Sequence, residues 1–309
     1  MTKAKARNPL FSTPISRLDH EHGHLYETPD GNFFGATTFI GVIDKPVLKF
    51  WYASQQTAYV TEAAGDLWED APIVKRKADK MTRTAFILSL KKRIGTVKKA
   101  HKETERAQEI GTQAHALVEW ALRTELGQKC ARPEARIEAE YAFQSFENWR
   151  ASVNLEPLYI EQIVWSKTFG YAGTVDLIAY LDLKDERHDY GRTLAIIDWK
   201  TGKRHYPESS LQSAAYAWAY HEMGHADAPP PGLVVRLPKI KTDPGFDTKL
   251  VHSADFEEDF AAFLQAKGVW TWLRKAEEKA AKIEAAKKAA KVVAAPELEA
   301  VASTSEVPF

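Results

Sequence analysis

Ala195-Ile196-Ile197-Asp198-Trp199-Lys200 is the stretch on which the reading of this chain turns. An apolar run closes on an acid, an aromatic and a base. Successive side chains of a strand point to opposite faces, so Asp198 and Lys200 project together and Trp199 projects the other way. Standing alone, the pair reads as a structural ion pair. It has a companion upstream, Gly173-Thr174-Val175-Asp176-Leu177-Ile178-Ala179, a second apolar strand with one acid set into it. Burying an unpaired carboxylate costs several kcal/mol or shifts its pKa strongly, and a second carboxylate beside it adds repulsion. Two such acids on adjacent strands are best explained by a divalent cation bound by both. Hard oxygen ligands favour Mg²⁺, with Mn²⁺ as a substitute. The charged segment 182–192 is the expected hairpin between the strands.

Working outward, residues 110–274 have the pattern of a compact α/β domain, a central mixed β-sheet flanked by helices. The periodicity predicts helices over 112–126, 133–153, 209–222 and 255–273. It predicts strands over 158–166, 171–181, 193–200, 233–237 and 248–252. The first helix carries His115, with Glu119 one turn later on the same face. His115 reads equally as a third metal ligand, a phosphate contact or a polar residue at a helix start. Glu161, flanked by Ile160 and Ile163, is a further acid for the metal cluster, or else a lysine's partner. Gln212 and Tyr216 are four apart and share a helix face. They suit orientation of Lys200 or contact with a phosphate; the plainer account is a surface glutamine and a core tyrosine.

The N-terminal part divides differently. Residues 1–45 read as a basic tail followed by a hairpin, with Thr28-Pro29-Asp30-Gly31 as its turn. His20, His22 and His24 at alternate positions would share one strand face, exposed or metal-binding. Residues 46–109 read as helical. Within 75–102, eleven residues are Lys or Arg and only Asp79 opposes them. Lys75, Arg76, Lys77, Lys91, Lys92, Arg93, Lys98 and Lys99 of this block are the expected DNA contacts, because Lys and Arg neutralise phosphates. Leu48, Trp51, Tyr52, Tyr59 and Trp68 lie at helical spacing, which favours core packing over base stacking. Residues 275–309 read as an Ala/Lys/Glu helix and a disordered tail.

Composition bounds the rest. The chain has 309 residues with 42 basic and 42 acidic side chains, so the charge information lies in distribution and not in the total. One cysteine, Cys130, excludes a disulfide framework, a four-cysteine zinc site and a cysteine-ligated iron–sulfur cluster. It fits a reducing compartment. No apolar run approaches membrane-spanning length, and no signal-peptide core follows the N-terminus. The expectation is a cytoplasmic protein. Thr201-Gly202-Lys203 is no phosphate loop, since Ile197 stands where the upstream glycine belongs.

Gly-x-x-x-His (Gly111 to His115), Gly-x-x-Asp (Gly173 to Asp176), Asp-Trp-Lys-Thr (Asp198 to Thr201) and Gln-x-x-x-Tyr (Gln212 to Tyr216) occur in this order. Each is weak alone; as a set, over about residues 110–222, they resemble the RecB-type branch of the PD-(D/E)xK nuclease superfamily. Residues 37–46 are similar to the N-terminal signature of phage-encoded exonucleases of that branch, and the mitochondrial genome maintenance exonuclease has a comparable layout. The resemblance implies a restriction-endonuclease-like core and a Mg²⁺-dependent DNA exonuclease of phage or prophage origin, serving replication, recombination or repair. It implies metal binding by Asp176 and Asp198 assisted by His115, water activation by Lys200, and support from Gln212 and Tyr216. Val175 replaces the proline of the superfamily name. The iron–sulfur cysteines of CRISPR-associated relatives are absent. A site-specific or structure-specific endonuclease and a non-catalytic DNA-binding recombination partner are the rival readings. The ending Ser305-Glu306-Val307-Pro308-Phe309 looks like the tails that dock single-strand binding proteins; a single-strand annealing or binding protein is thus a candidate partner.

Overall fold

The computed structural model describes residues 15–43, 46–70, 83–94, 99–243 and 245–302. Three short antiparallel strands come first: β1 (Ser16–His20), β2 (Gly23–Thr28) and β3 (Gly31–Phe34). They are followed by helices α1 (Ala36–Ile40), α2 (Pro46–Asp70), α3 (Arg83–Ile94), α4 (Lys99–Glu125) and α5 (Ile137–Ser152). Strands β4 (Glu156–Ser166), β5 (Tyr171–Lys184) and β6 (Asp189–Lys200) then form a meander. Helix α6 (Glu208–Glu222) crosses over to β7 (Gly232–Arg236), which lies parallel to β6 as a crossover connection requires. Strand β8 (Asp247–Val251) closes the sheet antiparallel to β7, and α7 (Phe256–Ala302) ends the described chain.

The central sheet therefore has five strands in the order β4-β5-β6-β7-β8, with one parallel and three antiparallel pairs. It is the mixed sheet flanked by helices that the periodicity predicts. Each face buries its own core. On one face Leu177, Ala179, Leu181, Ala195, Ile197 and Trp199 pack against Leu117 and Leu122 of α4 and Phe146 and Trp149 of α5. On the other, Val175, Ile178 and Ile196 pack against Ala214 and Ala217 of α6, Phe263 of α7 and Phe39 of α1. Trp199 stands edge-on to Trp149 at 5.1 Å and to Phe146 at 5.5 Å between ring centroids, the geometry aromatic quadrupoles favour. The aromatic of the Asp-Trp-Lys run thus anchors β6 while its two neighbours face away.

Two expectations change. His20, His22 and His24 do not share a strand face: a turn at Glu21 and His22 separates β1 from β2, with Gly23 at φ +124° closing it. Helix α4 begins at Lys99, ahead of the start expected near residue 112. The Ala/Lys/Glu helix expected beyond residue 275 is present, continuous with α7, which runs to Ala302 on good helix formers (Ala, Lys, Glu). Lys75, Arg76, Lys77, Lys98 and the tail 305–309 lie outside the described residues.

Candidate active site

The pairing of β5 with β6 stops at Leu177↔Ile197, one residue short of the two acids. There Asp176 takes over a backbone role: its Oδ2 accepts a hydrogen bond from the Trp199 N–H at 2.8 Å. On the other side, β4 and β5 pair at Ile160↔Leu177 and Gln162↔Val175, leaving Glu161 in the slot opposite Asp176. Glu161 has φ +52°, alone among the described non-glycine residues in the left-handed region. The regular alternation of faces fails at both positions. Ile160 and Leu177 join the α4–α5 core, while Val164 and Val175 join the α6–α7 core. Backbone strain of this kind costs of order 1 kcal/mol and persists where the surroundings enforce it. Here it turns Glu161 toward Asp176.

Helix α4 brings the third member. A Cβ on Gly111 would lie 3.3 Å from Thr201 Oγ1, so glycine lets the helix lie close to the loop after β6. One turn on, His115 Nδ1 is 3.5 Å from Asp176 Oδ1. One ligand atom each from His115, Glu161 and Asp176 lies within 4.8 Å of the others.

Asp198 and Lys200 share the opposite face, as alternation requires. Lys200 Nζ donates to Asp198 Oδ1 at 2.8 Å and to Gln212 Oε1 at 3.1 Å, and lies 2.7 Å from Asp198 Oδ2. The Oδ2 contact lacks hydrogen-bond geometry, so this buried oxygen accepts no hydrogen bond among the described residues. Gln212 Nε2 donates to Asp198 Oδ1 at 2.9 Å and to the Tyr216 hydroxyl at 3.3 Å. The Tyr216 ring lies across β5 at Gly173. A Cβ there would fall 2.9 Å from the ring's Cζ and 3.0 Å from its hydroxyl oxygen, and closer still to Cε1. Both glycines of the motifs are thereby explained by close approach.

The electrostatics are unresolved in a way ordinary ion pairs are not. Burial, reinforced by Asp176, raises the Glu161 carboxyl to about 8. Burial opposes charge on His115, but Asp176 outweighs it and lifts the imidazole to about 9. Burial also raises Asp176, yet His115, Lys200 and the Trp199 N–H together pull it below the usual carboxylate value. Asp198 is raised by burial, against the pull of Lys200 and with a push from Asp176. The Lys200 ammonium, which burial would weaken, is held above its ordinary value by Asp198 and Asp176. Three acids in one buried space push their pKa values apart. A divalent cation relieves that repulsion, and the donor set of carboxylates and one imidazole fits it.

The structure therefore brings together all six residues singled out by sequence: His115, Asp176, Asp198, Lys200, Gln212 and Tyr216. It also draws in Glu161, which the sequence left between two readings. Asp198 is adjacent to the His115–Glu161–Asp176 set but is not one of its three converging atoms. Of the basic block, Lys91 and Lys92 are exposed on α3; Arg93 and Lys99 lie on α3 and α4. Glu119 pairs with Arg123 at 2.8 Å. Among the described residues no helix is long and apolar enough to cross a membrane.

A family model described as PD-(D/E)XK nuclease superfamily matches residues 83–295. No curated protein matches the chain.

Proposed function

The chain belongs to the PD-(D/E)XK nuclease superfamily, and from that membership we propose that it is a metal-dependent deoxyribonuclease that hydrolyses DNA phosphodiester bonds from strand ends. The observation that carries this reading is the convergence of His115, Glu161 and Asp176 beside the Lys200–Asp198 pair. His115, Glu161 and Asp176 would hold the cation, with Asp198 Oδ2, which accepts no hydrogen bond among the described residues, as a further ligand. Mg²⁺ or Mn²⁺ bound there supplies positive charge against the phosphate and lowers the pKa of a bound water.

The protein's own groups do the rest. Lys200 carries a fixed ammonium at the end of β6, in place to orient the attacking water and offset charge developing on the phosphate. Gln212 holds Lys200 through its carbonyl and Asp198 through its amide, so it positions both. Tyr216 anchors Gln212 from the next helical turn. Trp199 N–H fixes one oxygen of Asp176, leaving the other toward His115.

Action from ends, and service to phage replication or recombination, rest on the likeness of residues 37–46 to phage exonucleases. The experiment is digestion of end-labelled linear DNA beside a closed circular substrate, with Mg²⁺. We expect the linear substrate to be degraded and the circle to survive. Nicking of the circle would replace the exonuclease with an endonuclease. Failure to cut either with Mg²⁺ or Mn²⁺ would overturn the nuclease reading.

A further inference from the structure

The sheet β1-β2-β3 lies outside residues 83–295, yet it is built against the site. Tyr26 of β2 is buried, and its hydroxyl lies 3.2 Å from Thr174 Oγ1, two residues before Asp176. Gly35, just past β3, bridges to Ala172 of β5. The register pairs Arg17 directly with Tyr26. Residues opposite one another in an antiparallel pair point to the same face, so Arg17 shares the face that Tyr26 turns to β5. His24, two residues before Tyr26, shares it as well. Arg17 Nη2 lies 3.1 Å from His24 Nε2, and His24 Nδ1 lies 3.1 Å from Asp19 Oδ1. Arg17 is exposed and forms no ion pair among the described residues. Its charge bears on both Tyr26 and Glu161.

We propose that this face of the N-terminal sheet is one wall of the DNA cleft and that Arg17 contacts a backbone phosphate beside the His115–Glu161–Asp176 cluster. The inference rests on the nuclease reading and extends it to a segment outside the family match. A polyanion must approach a space that already holds Asp176, Asp198 and Glu161, with Glu119 one helical turn from His115. Lys200 already shares its charge with Asp198. A fixed positive charge at the mouth offsets that repulsion, and a guanidinium presents a planar donor fork suited to phosphate. His24, backed by Asp19, holds the fork in place.

The test uses the full chain carrying Lys200→Ala with EDTA in place of Mg²⁺, so that binding is read without cleavage. Affinity for fluorescent single- and double-stranded oligonucleotides is measured by anisotropy across a salt series. Adding Arg17→Ala should weaken binding about tenfold, and the log–log salt slope should fall by about one, as for loss of a single phosphate contact. Arg17→Lys should recover part of the affinity and the full slope. Arg187→Ala, an exposed arginine on the far hairpin, should change neither. Unchanged affinity and slope for Arg17→Ala, in a parent that binds DNA, would overturn the proposal and leave the nuclease reading standing. A parent that bound neither oligonucleotide would overturn both.

Discussion

The β5–β6 hairpin carries a cluster of acids and bases at each of its ends, and the two are built differently. At the turn end, Asp185 Oδ1 accepts from the N–H groups of Arg187 at 2.9 Å and His188 at 3.1 Å. Its Oδ2 lies 2.8 Å from His252 Nε2, and the Tyr190 hydroxyl lies 3.4 Å from His252 Nδ1. Arg187 grips Asp255 with two hydrogen bonds, at 2.7 and 2.9 Å. Each of these carboxylate oxygens has a partner, and the cluster ties the hairpin to the start of α7. At the other end the acids are less completely partnered. Asp198 Oδ2 is buried without a hydrogen bond, Glu161 is held in a left-handed backbone, and Asp176 faces both an acid and an imidazole. A charge cluster by itself marks nothing. Unmet electrostatic demand in a buried space separates a site from a lock.

That contrast can be broken from either end. The largest effect is expected from Lys200→Ala, which should cut the rate of DNA hydrolysis by about 10²–10³, the scale for loss of one fixed charge-stabilising group. Single-turnover kinetics would measure it, and a loss under threefold would mean that the ammonium is structural. Next comes Gly173→Ala. The added methyl collides with the Tyr216 ring, and overpacking of this severity should cost about 3 kcal/mol in denaturant unfolding and displace Gln212 with the ring. Full stability would show that Tyr216 has room to move. Third, Mg²⁺ at a hundredfold excess over its Kd should stabilise the protein by about 2.7 kcal/mol. Thermal melts should show that gain in the wild type and in Asp185→Asn, and show none in Asp176→Asn. Equal gains in all three would place the cation elsewhere. The smallest effect belongs to the lock. His252→Ala should lose about 1–2 kcal/mol of stability, since a buried hydrogen-bonding group goes and its partner is left. Its catalytic rate should stay within a factor of two of wild type.

Much of the site was legible where local periodicity holds. Period-2 alternation placed Asp198 and Lys200 on one face and Trp199 on the other. Helical period placed Gln212 over Tyr216, and both pairings stand at hydrogen-bonding distances. Legibility failed where the backbone leaves its regular form. Glu161 sits at a break in strand alternation, and no residue type near it announces a positive φ, so its direction could not be read from spacing. The histidines of 20–24 failed for the opposite reason. Gly23 marked a turn, but the alternating pattern read through it as one strand. Arg236, buried and held by Asp243 at 3.0 Å and Asp247 at 2.8 Å, was not singled out. Its partners come from the loop after β7 and from β8, and no local pattern reports them.

The most direct measurement makes one chemical change at each end of the hairpin, Asp176→Asn and Asp185→Asn, in proteins shown to be folded by circular dichroism. Each is assayed with wild type for hydrolysis of labelled linear DNA in Mg²⁺. The account predicts that Asp185→Asn cuts at the wild-type rate and that Asp176→Asn loses at least about a thousandfold, as expected when a cation that neutralises the phosphate is no longer held. Cleavage by Asp176→Asn at the wild-type rate would contradict it.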